Sequence, residues 1–207
     1  AGNSLTFLDP TSGEVQRTLR GIADPYHLRF SPDMKWFVTA ANRLDHVDLY
    51  HWQPKDAAQP LKLVKRISAP KTPSHLFIDS RSTVVYVSLQ DSDELLAIDL
   101  ATQAPRWKIK TGKLPADLYL TPDDRMLLVG LTGDRFVEAY DVSVSPPRLV
   151  KRIPTGEGAH AFRSMGDKRH VFVSNRAPNT ISYIDHQALA VAAELPGPGG
   201  PDCMELR

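Results

Sequence analysis

A pentapeptide that occurs twice constrains the fold of this chain more than any other feature. The sequence LVKRI stands at residues 63–67 and again at 149–153, which is 86 residues later. A unit of half that length is supported by short apolar runs that end at regularly spaced positions, with steps of 42, 48, 42 and 44 residues. These positions are Asp9, His51, Asp99, Asp141 and Asp185. The chain therefore consists of repeats of about 43 residues.

A second series of polar residues follows the same period. Its members usually stand two residues after a Pro or Gly, and the steps between them are 48, 42, 43 and 42 residues. They are His27, His75, Asp117, His160 and Asp202. Because the two series are independent, their common period indicates one structural unit that is copied along the chain.

Each repeat predicts four short β-strands. The first strand leads into a turn rich in Pro and Asp, such as 31–35 or 121–125, and these residues favour tight turns. A more apolar second strand follows, the third strand ends at the Asp series, and LVKRI is the fourth strand. We expect the Lys and Arg side chains of LVKRI to be solvated charges that discourage edge-to-edge pairing of an outer strand.

Four-stranded antiparallel units without helical periodicity are typical of a β-propeller, in which each unit is one blade. The sequence predicts an all-β chain in a single domain, 1–207. The complete blades are predicted at 25–67, 73–110, 115–153 and 158–195, and partial blades at 3–20 and 200–206.

The number of predicted strands leaves two architectures open. The repeats account for 19 strands in about five repeats, whereas a closed five-bladed ring needs about 20. We favour a segment of a seven-bladed propeller. The alternative is a small five-bladed ring that closes by pairing residues 3–9 with 200–206 in one blade.

Composition excludes several partners. Twenty-five basic and twenty-four acidic side chains give a net charge of +1, so nothing indicates a nucleic-acid partner. No stretch approaches the 18 apolar residues of a membrane span. The single Cys203 excludes an internal disulfide.

Three stretches resemble the YVTN-repeat β-propellers, the bacterial surface-layer-like and lactonase-like family. They are LTFLDPTSGEV at 5–15, PYHLRFSPD at 25–33 and FVSN at 172–175. The resemblance implies a β-propeller in a periplasmic or secreted protein. It implies no single activity, because such propellers include lactonases, haem-bearing domains and copper-cluster reductases.

The second polar series provides the candidate site. In a propeller the first strand of each blade lines the central channel, so His27, His75, Asp117, His160 and Asp202 should converge near one end of it. We expect these residues, with Arg29, to bind a small ligand. Imidazoles and carboxylates around an axis are also plausible ligands of a divalent metal, for which His27, His75 and His160 are the candidates, although no cofactor is assigned. A structural alternative is that these polar groups bond to loops and to the backbone of the next blade.

Other candidates have structural interpretations. Arg29, Tyr119 and Phe162 lie two residues beyond the polar series on the same strand side. Both aromatic residues are expected to pack between blades. Of the remaining histidines, His46 and His51 are predicted to be surface or packing residues rather than ligands, and His170 and His186 to be exposed beside turns.

The sequence leaves two functions open. There is no G-x-S-x-G, H-E-x-x-H, phosphate-loop or G-x-G-x-x-G motif, which favours a non-catalytic propeller that binds a small molecule or a partner protein through its loop-lined face. The alternative is a lactonase-like hydrolase, or a metal- or cofactor-dependent enzyme, that uses the channel His and Asp residues to activate water. A haem above the channel is a further possibility.

Overall fold

The computed structural model of the protein describes residues 2–204. This part of the chain is all-β, with 18 strands, no α-helix and one turn of 3-10 helix at Gln90–Ser92. Within these residues, no helix is both long enough and apolar enough to span a bilayer. The predicted fold class is confirmed: the strands form a partial β-propeller of antiparallel four-stranded blades.

Sixteen strands form four blades, numbered here in chain order. Blade 1 contains β3 (Pro25–Phe30), β4 (Trp36–Ala41), β5 (His46–Trp52) and β6 (Leu61–Ser68). Blade 2 contains β7 (Pro73–Ile78), β8 (Val84–Leu89), β9 (Glu94–Asp99) and β10 (Ala104–Lys110). Blade 3 contains β11 (Pro115–Leu120), β12 (Met126–Leu131), β13 (Phe136–Asp141) and β14 (Arg148–Pro154). Blade 4 contains β15 (Ala159–Ser164), β16 (His170–Asn175), β17 (Thr180–Asp185) and β18 (Ala190–Pro196). Before them, β1 (Ser4–Leu8) pairs with β2 (Val15–Arg20).

The turn after the first strand shows how local sequence sets the repeat. In blade 1, the amide of Met34 donates to the carbonyl of Ser31 at 2.8 Å, and the Asp33 carboxylate accepts the Lys35 amide at 3.1 Å. In blade 3 the same bonds join Asp124 to Thr121 and Arg125 to Asp123. The Pro-Asp turns predicted from the sequence therefore end the first strands of blades 1 and 3 by bonding the backbone amides of the turn.

Neighbouring blades pack face to face. One apolar cluster joins blades 1 and 2, a second joins blades 2 and 3, and a third joins blades 3 and 4. The β1–β2 hairpin packs on blade 1 through a fourth cluster: Leu5 and Leu19 pack against a group of buried residues that includes Phe37 and Tyr50. Successive first strands are also in contact, β3 with β7, β7 with β11 and β11 with β15. Each blade therefore packs against the next blade in the sequence, as expected for blades arranged around an axis.

Gly130 shows how closely two blades approach. A Cβ built on Gly130 would lie 2.9 Å from the carbonyl oxygen of Ala159. Since β12 of blade 3 meets β15 of blade 4 at this point, only glycine fits there.

The role expected for LVKRI is corrected by the structure. Arg66 and Arg152 are not simply solvated edge charges, because each binds a buried carboxylate on the neighbouring third strand. Arg66 donates two hydrogen bonds of 2.8 Å to Asp48, and Arg152 donates one of 3.1 Å to Glu138. Asp48 and Glu138 are 0% and 1% exposed. We call these two ion pairs the blade-face pairs; they explain why an Arg recurs at this position of the pentapeptide in blades 1 and 3.

The strand predicted at 200–206 is not present in its described part, because 200–204 form no strand and 205–206 lie outside the described residues. Pro201 lacks an amide donor, and within residues 2–204 no strand pairs with this segment. The segment instead packs on blade 4, where Ser174 Oγ donates to the carbonyl of Asp202 at 2.8 Å and Arg163 Nε donates to that of Met204 at 2.8 Å.

The two ends of the described chain do not form a shared blade. Within residues 2–204, β1 pairs only with β2. The pairing that a closed five-bladed ring requires is therefore not observed among these residues. The seven-bladed count stays a prediction.

Candidate functional site

Four polar side chains meet where the first strands begin. Ligand atoms of His27, His75 and Asp117 all lie within 4.8 Å of one another. The rings of His27 and His75 have centroids 4.9 Å apart, and the ring of His160 lies edge-on to His75 at 5.3 Å. We call His27, His75, Asp117 and His160 the axial cluster. The sequence period therefore brings residues from all four blades to one place.

Two members of the axial cluster also connect blades. His27 Nδ1 accepts the Leu76 amide of blade 2 at 3.3 Å, and Asp117 accepts the Phe162 amide of blade 4 at 2.9 Å. The other oxygen of Asp117 accepts the adjacent Leu118 amide at 2.8 Å. The structural alternative considered from the sequence is thus realised for these two contacts.

The remaining two members are held differently. Nδ1 of His75 lies 2.9 Å from the Ser74 hydroxyl, which is itself buried. Nδ1 of His160 lies 2.6 Å from Oδ1 of Asp202, but the angle is not that of a hydrogen bond, so this buried nitrogen has no such partner. Asp202 is therefore beside the cluster rather than in it, with a side chain 53% exposed.

Burial keeps the imidazoles neutral near pH 7. It lowers the pKa of His27 to about 4, and the adjacent His75 adds to that shift. Burial likewise lowers the pKa of His75, although Asp117 opposes the change, and that of His160, where Asp202 opposes it. Neutral imidazoles each offer one donor and one acceptor.

Arg29 stands next to the axial cluster. Its Nε donates to the carbonyl of Leu76 at 3.1 Å, and its guanidinium lies 4.7 Å from the ring centre of Phe77. Burial lowers the pKa of Arg29, and Asp117 acts in the opposite direction. The side chain is thus a partly desolvated cation beside the cluster.

The structure shifts blade 4 by one residue relative to the sequence period. Ser88 Oγ accepts the amide of His75 in blade 2, and the equivalent Ser174 Oγ accepts that of Ala161 in blade 4. Ala161, not His160, therefore occupies the position of His75. The residue before it, His160, reaches the cluster from blade 4.

The same shift affects the residues expected two positions further on. The partner of Phe162 is Val173, which places Arg163 rather than Phe162 level with Arg29 and Tyr119. Phe162 and Tyr119 are both buried in the cluster between blades 3 and 4. Both aromatic residues pack between blades, as the sequence indicated.

The other histidines lie elsewhere. His46 is buried with Nδ1 3.1 Å from the carbonyl of Leu44, and His51 packs on Trp36. His170 is half-buried, with Nδ1 2.6 Å from Asp167. The prediction that His186 is exposed is wrong, because it is 6% exposed and its ring packs against Tyr119 at 5.8 Å.

The axial cluster can bind a ligand, but its capacity for proton transfer is limited. A base with a pKa near 4 removes protons inefficiently at neutral pH. The Ser74 hydroxyl beside His75 is 1% exposed, so it is closed to a substrate. The sequence search missed Ser74, whose only signal is its position directly before His75. Lone pairs and N–H groups of the cluster can bind a small polar molecule or a cation.

The fold and this site define a β-propeller with a polar cluster at one end of its first strands. The chain belongs to the YNCE-like beta-propeller family, whose model matches residues 1–207. A comparison with curated proteins gives no significant match.

Solved structures with the same fold share little sequence with this chain. A functionally unknown protein from Desulfotomaculum acetoxidans has a TM-score of 0.81 and 11% identity, over 97% of this chain and 65% of its own. The periplasmic gluconolactonase PpgL of Pseudomonas aeruginosa has a TM-score of 0.77 and 18% identity, over 97% and 64%. Hydrazine synthase of Kuenenia stuttgartiensis has a TM-score of 0.74 and 17% identity, over 83% and 49%.

These comparisons support the fold alone. The chain spans about half to two thirds of the length of the solved chains it matches. The sequence resemblance is confirmed at the level of a β-propeller with lactonase-like neighbours, and the family that matches is the YNCE-like one.

Proposed function

We propose that this protein is a non-catalytic binding propeller that holds a small polar molecule at the axial cluster. One observation carries the proposal: His27, His75 and Asp117 place ligand atoms within 4.8 Å of one another. Neutral imidazoles, a carboxylate and the nearby Arg29 guanidinium suit a molecule with several hydroxyl groups and a carboxylate.

Catalysis is the less favoured alternative. The gluconolactonase of P. aeruginosa shares the fold, and a lactone hydrolase would use an axial histidine as general base. The low pKa of His27 and the burial of Ser74 both argue against that use.

The protein is also proposed to be periplasmic or secreted. Support comes from the fold likeness to a gluconolactonase described as periplasmic. Fractionation of cells that express the full gene tests this point, and recovery only with cytoplasmic markers would contradict it.

Calorimetric titration with sugar acids and their lactones tests binding. The matched variants are His75→Ala and Asp117→Asn at the cluster, and His170→Ala as a control at a histidine that pairs with Asp167 away from it. We expect binding by the parent and the control and its loss in both cluster variants. Equal affinity in all four proteins would overturn the proposal.

A parallel assay of lactone opening separates binding from hydrolysis. The non-catalytic proposal predicts that the parent protein releases no acid above the spontaneous rate. Turnover that disappears in His75→Ala would instead establish the hydrolase.

A further inference from the structure

We propose that the axial cluster is a divalent-metal site, with His27, His75 and Asp117 as protein ligands and at least one position open to a small molecule. The inference deepens the proposed function and rests on it in one respect, that this cluster is a binding site. It adds that the cluster first binds a transition-metal dication such as Zn²⁺ or Co²⁺, to which the small molecule then binds.

The spacing of the ligand atoms suits a metal after a small adjustment. In a tetrahedral site with bonds of about 2.0–2.1 Å, neighbouring ligand atoms lie about 3.3 Å apart. The three ligand atoms here are within 4.8 Å, so small side-chain rotations bring them around one ion. Three protein ligands and an open position are the arrangement of sites at which a metal binds a further molecule.

The hydrogen bonds leave the ligands available. The Ser74 hydroxyl at Nδ1 of His75 leaves Nε2 for the metal and orients the ring. Each oxygen of Asp117 accepts one backbone amide and keeps a second lone pair. The 3.3 Å bond from the Leu76 amide to His27 is long, and it is the one contact that metal coordination has to replace.

Among the described residues, no other group of His, Cys, Asp or Glu places three ligand atoms this close together. His160 contacts His75 at 5.3 Å and is the nearest further imidazole. It acts here as a positioning residue that supports the His75 ring.

Substitution of Arg29 is expected to strengthen metal binding, whereas substitution of a ligand is expected to weaken it. The partly buried guanidinium of Arg29 interacts electrostatically with His27 and Asp117, so it opposes a bound dication. Arg29→Gln removes the charge and keeps a donor for the Leu76 carbonyl. We expect this variant to bind metal about 3- to 10-fold more tightly than the parent.

The experiment is a titration of the metal-free protein with Co²⁺ alone, followed by its visible d–d absorption, and a competition with Zn²⁺. We expect one equivalent to bind in the parent. His75→Ala and Asp117→Asn should weaken binding by more than about 100-fold, beyond the usual effect of losing an outer hydrogen-bond partner. His170→Ala should bind like the parent, because it removes a histidine–carboxylate pair outside the cluster.

Several results would overturn the metal site. They are the absence of a stoichiometric cobalt spectrum, an unchanged affinity in His75→Ala, and an equal loss in His170→Ala. Circular dichroism of each variant shows that it is folded. Arg29→Gln, which keeps all three ligands, provides a test that does not depend on removing one.

The metal and the small molecule are separated by titrating each without the other. Sugar-acid binding that persists in chelator-treated protein, with no cobalt spectrum, would overturn only the metal site. A cobalt spectrum without binding of any sugar acid or lactone would overturn only the proposed function.

Discussion

The blade-face pairs and the axial cluster both contain buried polar side chains, and the two regions differ in how these side chains are bonded. In the blade-face pairs, Asp48 accepts two bonds from Arg66 and one from Tyr50, and Glu138 accepts bonds from Arg152, Tyr140 and Gly112. In the axial cluster, Nδ1 of the buried His160 has no hydrogen bond, although it lies 2.6 Å from Oδ1 of Asp202. Buried side-chain atoms without a hydrogen bond also occur at Thr39, His46, Asn175 and His186. The convergence of ligand atoms from different blades, rather than burial or an unpaired atom alone, therefore marks the axial cluster as the candidate binding site.

Blades 2 and 4 show that the blade-face carboxylate is not required by the fold. The positions equivalent to Asp48 and Glu138 are Leu96 and Ser182, which face Lys108 and Glu194 on the outer strands. Lys108 pairs instead with Glu94 at 3.1 Å. A buried carboxylate and an outer-strand Arg therefore occur together or not at all in these four blades.

The largest effect is expected from placing a carboxylate in blade 2. Leu96 is 3% exposed, so Leu96→Asp buries a charge that has no Arg partner. We expect a loss of about 3–5 kcal/mol in the free energy of unfolding, measured by urea denaturation.

The second substitution Lys108→Arg, which recreates the pairing of blade 1, should recover part of that loss. If the double variant is no more stable than Leu96→Asp, co-occurrence of the two residues does not reflect their pairing.

Removing each arginine should show which of the two blade-face pairs contributes more to the free energy of unfolding. Arg66→Met leaves Asp48 with one hydrogen bond, and we expect a cost of about 2 kcal/mol, reduced because Arg66 is half exposed. Arg152→Met should cost about 1 kcal/mol, because Glu138 keeps Gly112 and Tyr140 as partners. Thermal and urea unfolding measure both, and the reverse order would contradict the comparison.

The axial cluster should make stability depend on pH. The pKa of His27 is about 4 in the folded protein and about 6.5 in the unfolded chain, so the unfolded state binds more protons between these values. The contribution of His27 to the free energy of unfolding is fully present above about pH 6.5 and is lost as the pH falls towards 4. We expect a loss on the order of 1–3 kcal/mol.

The control for this prediction is His27→Gln, which cannot titrate. Urea midpoints between pH 7 and pH 4.5 should fall less steeply in His27→Gln than in the parent. Parallel curves would show that His27 is not held neutral by burial.

The smallest effect is expected at the two tyrosines of the blade-face pairs. Burial, with the adjacent carboxylate, raises the pKa of Tyr50 and Tyr140 above the usual value. Tyr140 donates to Glu138 at 2.6 Å and Tyr50 to Asp48 at 3.2 Å. Tyr140→Phe should therefore cost about 1 kcal/mol and Tyr50→Phe less, as measured by the unfolding midpoint. A larger cost for Tyr50→Phe would contradict this ranking.

The sequence predicted the strands well because the same pattern of strands and turns occurs in each repeat. The blades observed at 25–68, 73–110, 115–154 and 159–196 differ from the expected limits by no more than one residue. The segment at 200–206 was not so constrained, because a strand needs a partner and its own residues do not specify one.

The site was predictable only in part. Pro and Gly spacing found His27, His75 and Asp117, but it also selected His160 where the backbone places Ala161. Ala159, and not Gly158, occupies the position of Pro73 and Pro115, while the strand pairing itself is the same in these blades. Composition does not show which of two adjacent residues begins the strand.

The blade-face pairs did have a signal in the sequence. VDLY at 47–50 and VEAY at 137–140 each place an acid inside an otherwise apolar strand, in the same two repeats that carry LVKRI. An acid and an Arg that recur together in two repeats indicate a contact between strands, but which atoms bond depends on register and burial.

The small side chain of Ala161 makes blade 4 differ from the other three blades at the axial cluster. Three blades present an imidazole or a carboxylate at this position, and the fourth presents a methyl group. A molecule held there meets a different group on each side, so its mirror image makes different contacts. Chiral discrimination is thereby available to a structure assembled from repeats of one four-stranded unit.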